Sequence, residues 1–491
     1  MERTIKNILL VDLSTYTVNL QDDYLALKTQ LQTLQTISWK QRTGFDYCRP
    51  GLSYSRGLLL LAACLLRNEY KVRYIVYADK NDRALLPAYI PEVNVVCFMA
   101  ITPTIKLAAS IAFFCKQINP SIKTIVGGPH STNLPFQTIQ EFNAFDYVLA
   151  GDGEERLPKL LANIDKPNDV PGIFFRGDGE IYSSGAAIQP VVLSELPIPA
   201  YELLSRSLAS YAHNIQTSRG CPFECEFCAE RQSRGKTSES EHDTNRIIEE
   251  LSLLKDNLPQ NTLIHFSDSV FSLANKQTSK LIHGIRQLKI HEKVIFSCDT
   301  RVDVIHESQV RELVQNGFMF FRLGFESVDN HILHLSRKNT ISSQQAQASD
   351  VIRNVSNHSV ILAYLITGLP DTTPDTLAED INVTYKQSRN GLFDIASDKI
   401  MVPYPGTEYF YKPQKYGINI TNFDWNSYDR LSFPVYELTT LASKDIYKGF
   451  IARETALAKG YLDRMNINNN DIRNVKPLED YFYLSYLKRN D

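Results

Sequence analysis

The chain has no surplus of charge of either sign. Its 52 Lys and Arg stand against 55 Asp and Glu, for a net charge of −3. That balance gives no general attraction to nucleic acid or to an anionic membrane. Long hydrophobic runs are also missing. The most apolar stretch, GLLLLAACLL (Gly57–Leu66), is too short to span a bilayer. The opening MERTIKNILLVDLS returns to polar residues too soon for a secretory signal and reads as a first strand. There is no disulfide framework. Of the eight cysteines, Cys64, Cys97, Cys115 and Cys298 lie inside apolar runs, where a thiol behaves as a small hydrophobe. These absences predict a cytoplasmic protein with no membrane span and no nucleic-acid partner. Repeats and low-complexity tracts are absent as well.

What is there is an alternation of strand and helix. At 491 residues, two or three domains are expected. In the first 180 residues short apolar strands (IKNILLVDL, KVRYIVYAD, VNVVCFMAI, IKTIVGGPH, FDYVLAG) alternate with helical stretches such as SYSRGLLLLAACLLRNEY and PTIKLAASIAFFCKQI. That pattern predicts an α/β, doubly wound, Rossmann-like domain. Ligands in such sheets bind outside the carboxyl ends of the strands. Those ends carry Thr102, Gly127-Gly128-Pro129-His130 and Gly151-Asp152-Gly153-Glu154. A hairpin-like piece, GIFFRGDGEIYSS, leads to a proline-bearing connector, LSELPIPAYELL. From 206 to 411 about six further βα units predict a partial (β/α)6 barrel. The expected division is 1–180, a linker at 181–205, a barrel at 206–411, and a small, mainly helical region at 412–491. YLALKTQLQTLQTI is a weakly marked helix in the polar segment before Gly51.

One short stretch carries chemistry: RGCPFECEFCAE, Arg219–Glu230. Cys221, Cys225 and Cys228 are spaced C-x3-C-x2-C. A structural zinc needs a fourth thiolate or imidazole, and His213 and His242 fall outside the usual finger spacing. Three cysteines on a [4Fe–4S] cluster leave one iron open. An open iron is a place for a substrate or cofactor, so the missing ligand argues for catalysis.

The motif, with Phe227 just before the third cysteine, resembles that of the radical S-adenosylmethionine (SAM) enzymes. IVGGPH, DYVLAGDGEE and LPIPAYELL resemble the cobalamin (B12)-binding domain that precedes the barrel in the subfamily of class B methyltransferases. FSDSVF, RLGFES, LITGLPDTT and VPYPGT follow in family order. The resemblance implies three cofactors: a [4Fe–4S] cluster held by Cys221, Cys225 and Cys228, SAM on its open iron, and cobalamin. It implies a 5′-deoxyadenosyl radical that abstracts hydrogen from an unreactive C–H bond, and a methyl group delivered to that carbon. A small-molecule or peptide substrate and a flavodoxin- or ferredoxin-type electron donor follow from it. Rival readings are a radical cyclase or rearrangement enzyme, with or without functional cobalamin, and a corrinoid-binding regulator with a redox-sensing cluster.

The resemblance also nominates residues. For SAM these are Phe227, Asp268, Arg301, Glu326, Thr367 and Tyr404. Each has a plainer reading: core packing for Phe227, a helix cap for Asp268, a surface ion pair for Arg301, a structural hydrogen bond for Glu326. For cobalamin they are Thr102, Gly127, Gly128, His130, Gly151, Gly153 and Glu154, the glycines admitting a close ligand or simply making turns. None of the ten histidines sits in a D-x-H-x-x-G loop, so no histidine ligand to cobalt is expected from that motif. His130 reads as an exposed turn residue.

Overall fold

The computed structural model describes residues 5–13, 52–185, 190–230, 240–241, 243–271 and 276–465. The weak helix YLALKTQLQTLQTI, His242 and Cys48 lie outside these residues. Two sheets organise the chain.

The first sheet contains β1 (Asn7–Asp12), β2 (Lys71–Val76), β3 (Val95–Met99), β4 (Lys123–Gly127), β5 (Tyr147–Leu149), β6 (Ile173–Gly177) and β7 (Glu180–Ser183). Their order is β2-β1-β3-β4-β5-β6-β7. The first five run parallel; β6 and β7 add antiparallel at one edge. The strands β1, β3 and β4 are buried on both faces, as apolar parallel strands flanked by helices must be. The order 2-1-3-4-5 has its switch point between β1 and β3. There the helix Arg56–Arg67 begins. Ser55 caps it by accepting from Leu58 N, and Ser55 N in turn donates to Asp12 at the end of β1. One helix escapes the apolar alternation. Lys80–Tyr89 is polar and carries Pro87, and its start is fixed by the Asp79 side chain accepting from Asn81 N.

The second sheet is wholly parallel: β8 (His213–Ile215), β9 (Thr262–Phe266), β10 (Val294–Arg301), β11 (Phe318–Glu326), β12 (Val360–Thr367) and β13 (Ile395–Ile400). Each strand lies beside its predecessor in sequence, so the sheet curls as an open six-stranded barrel. Ile264, Phe266, Phe296, Cys298, Phe321 and Leu323 pack outward against Leu251, Leu254, Ile285 and Leu313 of the surrounding helices. By strand alternation the intervening residues face the lumen.

The two sheets share a core. The connector is extended around its prolines, between single 3-10 turns at Leu193–Glu195 and Tyr201–Leu203, and it is buried: Leu193, Leu196, Ala200 and Tyr201 are in the core. Arg56 of the first domain pairs with Glu250 of the helix Thr244–Asn257 at 2.6 Å, and Tyr201 donates to the same carboxylate. Of the region after 411, residues 412–465 are described, and helix outweighs strand in them. Ile418–Ile420 and Tyr436–Leu438 pair antiparallel beyond a left-handed Gly417, and Ser443–Arg464 is a long helix. NFDWNSYDR packs on the first domain: Trp425 Nε1 donates to Glu141, and Lys106 pairs with Asp424.

Candidate active site at the junction of two sheets

A cleft of about 500 Å³ opens at the carboxyl ends of β3, β4 and β5. That size falls among ordinary ligand clefts. One wall is made by Met99, Gly127, Gly128, Gly151, Asp152, Gly153 and Glu154. The other is made by Asn214, Gln216, Arg219, Ala229, Glu230 and Ser267. The residues on either side of the cysteine loop, Arg219, Ala229 and Glu230, therefore form part of the wall of the first domain's ligand crevice.

The glycines on that wall have a physical reason. Gly128 sits at φ +101°, and a Cβ there would lie 2.8 Å from Ala100 O. Gly151 is left-handed as well, and its N–H donates to Thr132 Oγ1. Of the residues nominated for cobalamin, Gly127, Gly128, Gly151, Gly153 and Glu154 line the cleft. Thr102 and His130 do not. His130 is not an exposed turn residue. It is 1% exposed, its Nδ1 lies 3.3 Å from Thr102 Oγ1, and its ring meets Trp425 edge to face at 5.0 Å. Burial pushes its pKa down to about 4. The signal missed was distant in sequence: Trp425 covers it. Glu154 lines the cleft but is engaged. Its carboxylate receives Arg219 Nη2 at 2.5 Å, and Asp152 takes Nη1 at 3.3 Å.

The loop Cys221–Cys228 is held from several sides. Asp268, 1% exposed, accepts from the backbone N–H and hydroxyl of both Thr217 and Ser218 just before the loop. Burial raises its pKa against the pull of those hydrogen bonds. It is neither a helix cap nor a lining residue; it fixes the loop's entry. Arg301 is buried, not part of a surface ion pair. Its Nη1 approaches Cys225 Sγ at 3.7 Å, its Nη2 donates to Lys338 O, Asp303 takes its other edge, and its plane covers the Phe223 ring at 3.7 Å. Glu226 N donates to Ser336 O, and Arg337 Nε pairs with the Glu226 carboxylate at 2.9 Å.

Glu326 ends β11 at φ +63°, an unusual setting for a side chain, beside a register shift. Its carboxylate takes Lys338 Nζ at 2.9 Å. A Cβ on Gly324 would come within 2.5 Å of that ammonium, so the glycine leaves room for the pair. Phe227 and Tyr404 are partly buried against the core that joins the first sheet to the C-terminal region. Thr367 faces the other way: its hydroxyl donates to Asp398 on the outer, helix-covered side of the barrel. Sequence reading missed Lys338 and Arg219. Lys338 lies in SRKN, where Arg337 and Asn339 are both left-handed, a turn with no motif to announce it. Arg219 lies within the quoted stretch, but cysteine spacing says nothing of its neighbours.

Burial raises the pKa of the part-buried Cys221 and Cys225 thiols, Cys228 is exposed at the surface, and Cys221 and Cys228 each feel Cys225 electrostatically. Arg301 and Lys338 pull Cys225 the opposite way, toward the thiolate an iron site requires. Among the described residues no three His, Cys, Asp or Glu side chains converge on a single ion. Sulfurs that bind separate irons of one cluster need not converge, so the donor set fits a [4Fe–4S] cluster and not a tetrahedral zinc. The glycine-floored cleft beside it fits a flat macrocycle that must approach backbone closely.

Residues 46–161 match the B12 binding domain family, and residues 215–383 match the Radical SAM superfamily. The chain belongs to the B12-binding radical SAM proteins. Among its relatives, an uncharacterized methyltransferase of Pyrococcus horikoshii, PH0819, is 28% identical over 410 residues, 80% of this chain and 85% of the relative. The anaerobic magnesium-protoporphyrin IX monomethyl ester cyclase of Rubrivivax gelatinosus is 26% identical over 358 residues, 68% of this chain and 60% of that protein. The fold is shared with the radical SAM methyltransferase TsrM from Kitasatospora setae, solved with cobalamin and a [4Fe–4S] cluster. The TM-score is 0.67 at 14% identity, over 92% of this chain and 89% of TsrM. No helix among the described residues of this B12-binding radical SAM protein is long and apolar enough to cross a membrane.

Proposed function

We propose that this B12-binding radical SAM protein is a C-methyltransferase that places a methyl group on an unactivated carbon of a small-molecule or peptide substrate. One observation carries the reading: the glycine turns of the first sheet and the residues that flank the cysteine loop, Arg219, Ala229 and Glu230, line a single cleft. When bound, the cluster with SAM supplies homolytic cleavage of C–H bonds, and cobalamin supplies a methyl carrier.

The chain's own residues do the rest. Cys221, Cys225 and Cys228 hold the cluster. Arg301 and Lys338 place positive charge beside Cys225 and favour its thiolate. Phe227, Glu326 and Tyr404 are the proposed SAM contacts, and Asp268 and Arg301 act through the loop they hold. Thr367 leaves this set because its hydroxyl belongs to Asp398. Gly127, Gly128, Gly151 and Gly153 form the floor for the corrinoid, and the aromatic C-terminal region closes over the first domain. The division into 1–180, 181–205, 206–411 and 412–491 belongs to the same proposal, as does a flavodoxin- or ferredoxin-type electron donor. A cytoplasmic location is supported by the described cysteines, all of which are free thiols.

Anaerobic incubation with methyl-labelled SAM, reductant and cell extract tests this. Both 5′-deoxyadenosine and S-adenosylhomocysteine are expected, with label in a new product. Deoxyadenosine without S-adenosylhomocysteine would instead support the cyclase reading that the Rubrivivax relative represents.

A further inference from the structure

The lumen of the barrel carries a polar belt that no cofactor-holding residue uses. His265 on β9, Asp299 on β10, Arg322 on β11, Tyr364 on β12 and Lys399 on β13 all belong to the lumen-facing set of their strands. On each strand the neighbours immediately before and after pack outward into the helix-covered cores. The belt is joined across strands. His265 Nε2 lies 3.1 Å from Asp299 Oδ2, the Tyr364 hydroxyl donates to Asp299 Oδ1 at 3.1 Å, and that hydroxyl also meets the Arg322 guanidinium. Below the belt the lumen is closed by an apolar layer, Ile295, Phe320 and Val360, with Leu263, Met319 and Ile395 against it. Above it, Arg301 follows Asp299 by two residues on the same face, about 7 Å along the strand, and touches Cys225. To one side, Asn214 pairs in register with His265 and lines the cleft of the first domain.

All five belt residues are only partly buried, whereas the outward-facing residues flanking them in the barrel strands are nearly all buried. The Asp299 side chain keeps 28% of its surface and His265 keeps 16%. A barrel filled only for stability would bring apolar side chains to this level, as the layer below does. Here a carboxylate, a guanidinium, an ammonium, an imidazole and a phenol are kept within reach of a ligand instead.

We propose that this belt is the substrate site, and that the substrate is a small, water-soluble molecule carrying a carboxylate together with N–H or O–H donors. The inference rests on the barrel being the radical-bearing domain, as read in the preceding subsection. The carboxylate is recognised by the positive charge of Arg322 and Lys399, the donors by Asp299 and His265. The bound molecule lies between the apolar floor and the cysteine loop, with the cleft of the first domain open beside it. A hydrocarbon-like substrate would strip solvent from the partly exposed Asp299 and His265 and return no hydrogen bond, which disfavours that class.

The full chain, reconstituted anaerobically, is incubated separately with the aqueous and the chloroform phases of an extract of the native cells. Bound small molecules are then released and identified by mass spectrometry. The expected ligand comes from the aqueous phase and carries a carboxylate. Asp299→Asn and Tyr364→Phe, both nearly isosteric, should each cut its recovery at least tenfold while corrin absorbance and melting temperature are kept. A ligand from the chloroform phase, no ligand from either, or equal recovery with both variants overturns the assignment. A wild-type chain with neither corrin nor iron–sulfur absorbance overturns the underlying reading, and this one with it.

Discussion

Glu154 and Arg219 meet at 2.5 Å across the junction of the two sheets, one on the glycine turn after β5, the other two residues before Cys221. Both are nearly buried, and Asp152 shares the same guanidinium. Glu230, at the far end of the cysteine loop, accepts from Gly220 N and adds a third carboxylate nearby. Replacing one partner of such a buried cluster leaves charge without compensation, a loss of about 3–5 kcal/mol. Arg219→Met should therefore destabilise the junction and weaken cobalamin binding at least tenfold, read by titrating corrin absorbance. Arg219→Lys, which keeps the charge but not the fork, should recover part of it. Unchanged corrin affinity in Arg219→Met would show that the ion pair does not shape the cleft.

Cys225 is the thiol most directly tied to the barrel, through Arg301 and the nearby Lys338 ammonium. Cys225→Ala should abolish the iron–sulfur absorption band and both SAM-derived products. Corrin binding should survive, because the glycine turns that form its floor lie in the other domain. A retained cluster in that variant would contradict the assignment of ligands.

His130 should make the fold sensitive to acid. Its folded pKa is pushed down to about 4 from an unfolded value near 6.5, so the neutral ring is the form the core accepts. Its contribution is complete above pH 6.5 and is lost as the pH falls toward 4, because the unfolded chain then binds a proton that the folded chain refuses. Between pH 7 and pH 5 the loss is about 2 kcal/mol. The remaining charges close to the ring give no resolved opposing cause; burial beneath Trp425 is the one that counts. His130→Gln should flatten the dependence of melting temperature on pH over this interval. An unchanged slope would mean that other groups carry it.

Most of the architecture was legible because parallel strands leave short apolar runs between helices; β1, β3 and β4, buried on both faces, are apolar almost throughout. The cysteine motif was legible because its spacing is local. What lay outside sequence reading depends on contacts between distant segments. His130 resembles a turn residue until Trp425 covers it. Glu154 resembles a ligand contact until Arg219 arrives from the other domain. Lys338 has no motif, only a pair of left-handed neighbours and a glycine on β11, Gly324, that leaves it room. Thr367 shows the limit most clearly. A strand's period tells which residues share a face, but the face that looks into the barrel is decided by which helices cover the other.

That case yields a decisive test. On the outer face, Arg453 of the helix Ser443–Arg464 is fully buried and clamps Asp398 with Nε and Nη2 at 2.8 and 2.5 Å. Its Nη1 also bonds Asp380, whose pKa burial raises in spite of the guanidinium. Thr367 Oγ1 completes the set by donating to Asp398 at 3.0 Å. Arg453→Leu strands two buried carboxylates and should destabilise the chain by about 3–5 kcal/mol, measured by denaturant unfolding. Thr367→Val removes one hydrogen bond to a charged group and should cost about 1.5–3 kcal/mol. SAM affinity should be unaffected by Thr367→Val, because the hydroxyl points away from the lumen. A loss of SAM binding at unchanged stability would return Thr367 to the pocket and reverse the facing assigned to the end of β12.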